Sequence, residues 1–242
     1  MKPILPSAED FAELAAQLGA ASSPVQTAES VVSYAREHLG ADYGGITLIR
    51  GRRKLQTVAP SASIVTEVDS LQYELDEGPC RDSAWQGTTL ASQNLNHEPR
   101  WPAWAPRVTE LGIQSVLAVE LTNATAARRL GAINLYWCRP MLFTADHVSF
   151  AHIFARHAAL ALVASLEQAD LNVALDGRKL IGQAQGILME RYALDEARAF
   201  EVLKRYSQDH NLKLRRVAEI LISDRKLPAA HKDDDSTAEI AG

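Results

Sequence analysis

The residues that could carry chemistry in this chain lie mostly near its C-terminus, where positive charge accumulates. Between Leu203 and Lys226 there are seven lysines and arginines against three acidic residues, although the formal net charge of the whole chain is −5. A local excess of cations in an acidic protein favours a patch that binds phosphate groups with an affinity that falls as salt rises. On charge alone, a solvated helix surface is the preferred interpretation.

The sequence indicates no catalytic residue and no metal ligand. Cys80 and Cys138 are the only cysteines, and without zinc-ligand spacing they are expected to be small packing residues in a reducing compartment. His152 and His157 would point in different directions from one helix. Phosphate loops, nucleophile elbows and zinc-protease signatures are missing from the sequence. We therefore expect a protein that is not an enzyme.

A second group of residues is compatible with a pocket for a small molecule. The Gly-Pro pair in YELDEGPCRDS (73–83) predicts a turn, and Tyr73 and Cys80 in this segment could form a pocket rim. Trp101 and Trp104 could supply aromatic walls, or they could equally be core residues. Oxidation of Cys80 is a minor alternative, because no feature of the sequence favours a thiolate.

The elements that must position these residues follow an α+β pattern. Two helices are predicted over 8–19 and 24–39, each ended by a glycine. Short runs rich in β-branched residues then predict an antiparallel sheet with hairpin connections. The five predicted strands cover 44–50, 54–60, 88–92, 115–122 and 130–137. The tryptophan- and proline-rich stretch 94–106 is expected to be irregular.

The last third of the chain is predicted to be helical. One helix is expected from Thr144 to about Glu190, a second after a cap at Asp195, and a third over about 214–225. Three helices joined by short links can share one core as a small bundle. The charged tail from Pro228 is expected to be disordered.

The first of these helices is long enough to extend beyond a single small core. Apolar residues recur at seven-residue intervals at Leu166, Val173, Leu180 and Ile187. This spacing favours a coiled-coil connector that dimerises the protein over a helix packed only on its own domain.

Length and composition limit the class of protein. The chain has 242 residues, of which 47% are hydrophobic, enough for one large or two small cores. A sequence pI of about 5.8 argues against coating nucleic acid or an anionic membrane with the whole surface. Without a signal-like N-terminus or a run of about 20 apolar residues, the sequence predicts a soluble, cytoplasmic protein.

Three motifs in the C-terminal helices are weak singly and specific together. They are Ile-Gly-Gln-Ala-x-Gly-Ile-Leu-Met, Glu-Ala-x-x-Phe and Asn-x-Lys-Leu-Arg-x-Val-Ala. With their surroundings, about Leu175 to Leu227, they resemble an ANTAR domain, the three-helix RNA-binding module of bacterial transcription antitermination regulators. Upstream, YGGITLIR, LQYELDEGPCRDS, PRWPAWAP, SVLAVEL and LGAINLYW are similar to the GAF sensor domains that precede ANTAR in such regulators.

The resemblance implies an α+β fold with an antiparallel-sheet GAF domain flanked by helices, a long coiled-coil-like connecting helix and a three-helix ANTAR bundle. The corresponding boundaries are an N-terminal helical segment at 1–23, a GAF domain at 24–164, the connecting helix and bundle at 165–227, and the tail at 228–242. A small-molecule GAF ligand is implied as one option, and simple pairing of GAF domains is another. The sequence does not indicate which signal is sensed or whether phosphorylation takes part.

The function implied by the resemblance is binding to an mRNA leader with two adjacent stem-loops of six-nucleotide loops. Holding that RNA form prevents a terminator hairpin, so RNA polymerase, an indirect partner, continues into the downstream gene. Unstacked loop bases expose edges and faces that an A-form helix hides. Two stem-loops also match two ANTAR modules in a homodimer joined through the connecting helix. No membrane partner is implied.

Individual residues take their expected roles from the same resemblance. The candidate RNA-contact residues are Arg178, Lys179, Gln183, Gln185, Arg191, Asn211, Lys213, Arg215 and Arg216. Family members commonly have lysine where this chain has Gln185, which removes a phosphate-facing charge. The positions expected to pack the bundle are Ala184, Gly186, Ala197, Phe200, Leu214, Val217 and Ala218. The absence of side chains at Gly182 and Gly186 is expected to let another helix of the bundle, or RNA, approach closely.

Two other functions remain open at this point. In a DNA-binding regulator, the two helices joined at His210-Asn211 would form a helix-turn-helix. A GAF sensor whose helical tail only dimerises would need none of the cations to contact a nucleic acid.

Overall fold

The computed structural model describes residues 8–51, 54–123 and 128–227. Contacts divide the chain into two units, Met1–Ala169 and Asp170–Gly242. The predicted disordered tail lies outside the described residues, as do Arg52 and Arg53 of the first hairpin connection.

The first unit contains an antiparallel sheet of five strands in the described ranges. The strands are β1 (Tyr43–Arg50), β2 (Lys54–Val58), β3 (Leu90–Ser92), β4 (Ser115–Asn123) and β5 (Arg128–Trp137). Their order is β2-β1-β5-β4-β3, so β1 and β5, far apart in sequence, pair at the centre. All five predicted strands are confirmed, with ends that differ by a few residues.

The central pair approaches closely at one glycine. Gly131 in β5 has a φ of +151°, and a Cβ there would lie 1.7 Å from the carbonyl oxygen of Thr47 in β1. Only glycine fits this position without a shift of the backbone.

In the described part of this unit, five helices and one short turn accompany the sheet, besides the start of a longer helix described below. They are α1 (Ala8–Ala20), α2 (Pro24–Leu39), α3 (Ser63–Leu75), α4 (Pro79–Gln86), a 3₁₀ turn at Leu95–His97, and α5 (Trp104–Glu110). The helices α1 and α2 confirm the prediction, and Gly40 ends α2 in the left-handed conformation.

The helices α3, α4 and α5 correct the sequence analysis. The segment 73–83, where a turn was predicted, is the junction of α3 and α4, and α5 occupies part of the stretch expected to be irregular. In α3 the buried residues Val65, Val68, Asp69 and Gln72 recur at helical spacing. Two of these four are polar, so the helix lacks the apolar stripe that sequence patterns detect.

The two faces of the sheet belong to separate cores. Leu117 and Ile133 lie in one core with residues of α1 and α2, whereas Val116 and Tyr136 lie in the other with residues of α3 and α5. This alternation is the two-residue period of strands buried on both faces.

A helix of 48 residues, α6 (Ala145–Tyr192), continues from the first unit into the second. By length and composition α6 could cross a membrane, but Phe150, Phe154, Ala158 and Leu162 are buried in the sheet core. The apolar half of α6 is therefore a core helix. In the second unit α6 is followed by α7 (Glu196–Asp209), capped by Asp195 as predicted, and α8 (Leu214–Asp224).

Candidate nucleic-acid interface

Alanines bring the three helices of the second unit together. Ala184 of α6, Ala199 of α7 and Ala218 of α8 are all 0% exposed. The larger residues buried with them are Leu188, Leu203, Val217 and Leu221. Helices whose contact positions carry only a Cβ can pack at short distance, so the alanines account for close packing in this bundle.

The expected role of the two glycines inside the bundle is wrong. Gly182 and Gly186 are exposed, and a Cβ built on either would meet no atom of the described residues within 4 Å beyond its own stretch of helix. The interior of α6 faces the bundle through Ala184 and Leu188, and Gly186 lies about 160–200° around the helix from them. The glycines therefore leave the outer surface of α6 without side chains.

Two further packing positions are wrong for the same geometric reason. Ala197 is exposed and Phe200 remains 37% exposed, whereas Ala199 and Leu203, four residues apart, are buried. The inward face of α7 is thus set by the pair at 199 and 203. The predicted packing roles of Ala184, Val217 and Ala218 are confirmed, and Leu214 is partly buried against the same core.

Two of the candidate contact residues on α6 hold neighbouring helices. The Gln185 side-chain amide donates a hydrogen bond of 3.2 Å to the carbonyl of Glu196, at the start of α7. The Arg191 guanidinium donates one of 2.6 Å to the carbonyl of Arg225, just after α8. The Arg225 carbonyl lies at the C-terminal end of α8, where carbonyls lack partners within the helix.

The remaining candidates on α6 are exposed, and so are the two candidates that come just before the first turn of α8. Arg178, Lys179 and Gln183 are exposed on α6. Lys213 at the N-cap of α8 is exposed, and Asn211 before it has a φ of +49°.

The two arginines on α8 share one carboxylate. Arg215 and Arg216 bind Glu219 at 3.1 and 3.3 Å. The hydrogen bond from Arg215, and then that from Arg216, lowers the pKa of Glu219. The carboxylate therefore remains ionised and offsets part of the positive charge on this helix.

Two grooves flank α6 within the second unit. The groove beside α8, about 540 Å³, is lined by Gln183, Gly186, Arg191 and Arg225 with Ile187, Ile222 and Glu190. The groove beside α7, about 700 Å³, includes Arg178, Ile181, Gln185 and Phe200. The structure thus brings Gln183 together with Arg191, and Arg178 with Gln185, while Lys213, Arg215 and Arg216 lie at the start of α8.

A buried polar cluster lies between the sheet and α3 in the first unit, and it includes Tyr73 and Cys80. The Tyr73 hydroxyl is 2.8 Å from the hydroxyls of both Thr47 and Thr57. The Cys80 thiol contacts Gln72, Asp69 and Tyr136. Asn134 joins through its amide nitrogen, while its Oδ1 atom has no hydrogen-bond partner among the described residues.

Asp69 is the centre of this polar cluster. Burial raises the pKa of its carboxyl, against hydrogen bonds from Tyr136 and Thr57 that lower it. Burial, then the charge of Asp69, raises the pKa of the Cys80 thiol. Cys80 is therefore held as a thiol, a poor nucleophile.

The two candidate tryptophans are core residues. Trp101 and Trp104 are 2% and 0% exposed and meet edge to face at 5.9 Å. Their indole nitrogens donate to the Asp82 carboxylate and to the Val68 carbonyl. They stabilise the core on the α3 side of the sheet, which removes the reason for placing them in an open pocket.

Comparison with known families agrees with the two units. A GAF domain model matches residues 21–163 and an ANTAR domain model matches residues 169–222. The chain belongs to the GAF-ANTAR proteins. ANTAR domains are RNA-binding antitermination modules and GAF domains are sensors, and this architecture is typical of soluble regulators rather than enzymes.

Solved structures similar to the GAF-ANTAR protein share its fold. The GAF domain of a phosphoenolpyruvate-protein phosphotransferase from Acinetobacter is 13% identical, with a TM-score of 0.51 over 67% of this chain and 96% of its own. The equivalent domain from Coxiella burnetii is 13% identical, with a TM-score of 0.50 over 67% and 95%. A bacteriophytochrome from R. palustris is 10% identical, with a TM-score of 0.54 over 84% and 47%. No curated protein matches the chain in sequence.

Sequence reasoning missed several polar residues of the GAF-ANTAR protein. Asp69, Asn134 and Tyr136 are far apart in sequence and meet only because β5 lies beside β1 under α3. Arg225 belongs to the α6–α8 groove through the tie from Arg191. The one available signal was the polar residue Asn134 inside the otherwise apolar run of β5.

Proposed function

We propose that the GAF-ANTAR protein is a transcription antiterminator that binds two adjacent hexaloop stem-loops in an mRNA leader. The observation that supports this most is the ANTAR match over a helical unit with exposed Arg178, Lys179 and Lys213. Lysine and arginine on a helical surface bind stem phosphates, while unstacked loop bases supply sequence-dependent contacts.

In this proposal the RNA contact is regulatory rather than catalytic. Binding holds the paired stem-loops, prevents the terminator hairpin, and lets RNA polymerase continue, so the protein acts in the cytoplasm where transcripts are made. The GAF domain controls the RNA-binding unit in response to a signal, which in this proposal is a small molecule. The match to a GAF domain model supports a sensing role.

We further propose that the protein acts as a homodimer through α6, in a different register from the predicted seam. Leu180 and Ile187 pack against their own bundle, so they are not available as seam positions. Between Leu180 and the first unit, Leu171 and Leu175 lie on one face of α6 and are 58% and 60% exposed. Val173 of the predicted seam, 58% exposed, lies on the other side of the helix. Apolar side chains exposed along a helix favour burial against a second copy.

Sedimentation of the full chain tests the homodimer. Replacing Leu171 and Leu175 with asparagine removes two apolar side chains from one face and should shift the protein toward monomer. Leu142, 70% exposed outside the helix, is the matched control for a leucine-to-asparagine change. A dimer unaffected by the double substitution would contradict a seam at Leu171 and Leu175.

Binding of the purified protein to a dual-hexaloop RNA, measured at several salt concentrations, tests the proposed function. The RNA should bind more tightly than a scrambled hairpin and than a palindromic DNA duplex of equal length. The logarithm of the binding constant should fall linearly with the logarithm of the salt concentration. The slope should be about 0.7–0.9 for each phosphate neutralised. Lys213→Ala should reduce the slope by about that amount. Equal affinity for the scrambled hairpin would refute RNA recognition, and preference for the duplex would favour a DNA-binding regulator.

A further inference from the structure

We propose that the groove between α6 and α8 of the ANTAR unit binds one unstacked nucleotide of the RNA loop, with the RNA backbone passing over Gly186. The inference rests on the proposed RNA-binding function and identifies the part of the surface that reads the loop. It concerns Gln183, Gly186, Glu190, Arg191 and Arg225, which line one groove of about 540 Å³.

No contact among the described residues accounts for Gly182 and Gly186 of α6. Gly182 and Gly186 are helical positions where alanine would be the more stable residue, and a Cβ at either would meet no described atom within 4 Å. Because no described residue packs against these two positions, α6 presents a surface without side chains here. A bare helix surface allows the closest approach of a ligand backbone.

Arg191 is held in position for a ligand at one end of this surface. Its guanidinium uses one N–H in the 2.6 Å hydrogen bond to the Arg225 carbonyl. The Arg225 backbone is fixed in turn by a left-handed conformation, with a φ of +55°, that ends α8. A guanidinium carries five N–H groups in a rigid fork, so the tie orients the remaining donors without consuming them.

The groove presents groups of both hydrogen-bonding kinds above an apolar floor. Arg191 and Arg225 contribute cations, Gln183 an amide, and Glu190 a carboxylate that accepts from base N–H groups. Ile187 and Ile222 are partly buried beneath them. An unstacked nucleotide fits these groups, because it combines a flat apolar face, an edge with donors and acceptors, and a phosphate.

Ion pairing distinguishes this groove from the start of α8. Arg215 and Arg216 are both paired with Glu219, so part of their charge is offset within the protein. Arg191 forms no ion pair among the described residues, and its hydrogen bond goes to a neutral carbonyl. Arg191 therefore keeps donors for a phosphate, while the Glu190 carboxylate offsets part of the charge of the groove.

Alanine substitution of Gly186 tests the groove, because it should move stability and binding in opposite directions. Gly186→Ala should raise the midpoint of thermal unfolding of the helical unit by about 2–8 °C. The added methyl group should weaken binding of the full chain to the dual-hexaloop RNA by roughly tenfold or more. Gly177→Ala is the matched control, since Gly177 is also free of neighbours and lies on the opposite side of α6. It should raise stability and leave RNA affinity unchanged.

A second variant tests the guanidinium, and loop changes locate the nucleotide. Arg191→Lys keeps the charge but loses the fork, and should reduce affinity for the hexaloop RNA by about 5- to 100-fold with little change in salt dependence. Loop nucleotides can be replaced one at a time by an abasic site. At one position of the loop, the abasic RNA should bind the wild type and Arg191→Lys with equal affinity.

The outcomes separate the groove from the function on which it rests. If the wild type binds the RNA and Gly186→Ala binds equally well, the groove proposal is wrong while the antiterminator function stands. If Gly186→Ala changes the oligomeric state instead of RNA affinity, the surface contacts a second copy and the proposal also fails. A wild type that does not distinguish the RNA from a scrambled hairpin refutes the proposed function itself.

Discussion

Overpacking at Ala199 should destabilise the ANTAR unit strongly, whereas the same change at Ala197 should not. Ala199 is 0% exposed between Ala184, Leu203 and Ala218, so Ala199→Leu forces three more carbon atoms into a closed helix contact. Overpacking of this kind costs about 1–3 kcal/mol. A helical domain of the length of residues 169–222 has a total stability of about 3–8 kcal/mol, so the loss is a large share of it.

The assay is hydrogen exchange and thermal unfolding of the full chain, monitored over α7 and α8. A loss of about 1–3 kcal/mol should lower the midpoint for the helical unit by about 4–24 °C. Ala197→Leu is the matched control: Ala197 is exposed, and leucine has nearly the helix propensity of alanine, so stability should stay within about 0.5 kcal/mol. Equal destabilisation by the two variants would refute the inward face assigned to α7 and restore the packing expected from sequence.

Three more predictions concern single positions. Asp69→Asn should flatten the pH dependence of GAF-domain stability in urea. The pKa of Asp69 in the folded protein is raised above its ordinary value of 3.8. The contribution of Asp69 to the free energy of unfolding is therefore present below pH 3.8 and is lost as the pH rises through the folded pKa. Parallel curves of unfolding free energy against pH for variant and wild type would contradict this. Gly131→Ala should cost at least about 2 kcal/mol by urea unfolding, because its Cβ would meet the Thr47 carbonyl. Gly112→Ala, also at positive φ but in open space, should cost less, and equal losses would contradict a steric cause. Gln185→Lys should steepen the salt dependence of RNA binding by about 0.7–0.9, and an unchanged slope would show that this side chain does not face phosphate.

Local patterns were sufficient for most of the regular elements. The β-branched runs predicted all five strands, and the cap at Asp195 predicted the start of α7. These signals act between near neighbours in the chain, which is why they can be read without a fold. The helix α3 was not predicted because two of its inward residues, Asp69 and Gln72, are polar. Most of their hydrogen-bond partners lie on other elements.

The sequence by itself determined that the chain contains a sheet domain followed by helices with the ANTAR motifs, and which polar residues were candidates for RNA contact. Tertiary structure alone decided which of them have internal partners: Gln185 and Arg191 hold helix ends, and Arg215 and Arg216 share Glu219. It also decided that alanines close the bundle while Gly182 and Gly186 face outward. The physical reason is that residue type limits how closely a helix can be approached, whereas the direction of approach depends on the rotation of each helix against its neighbours.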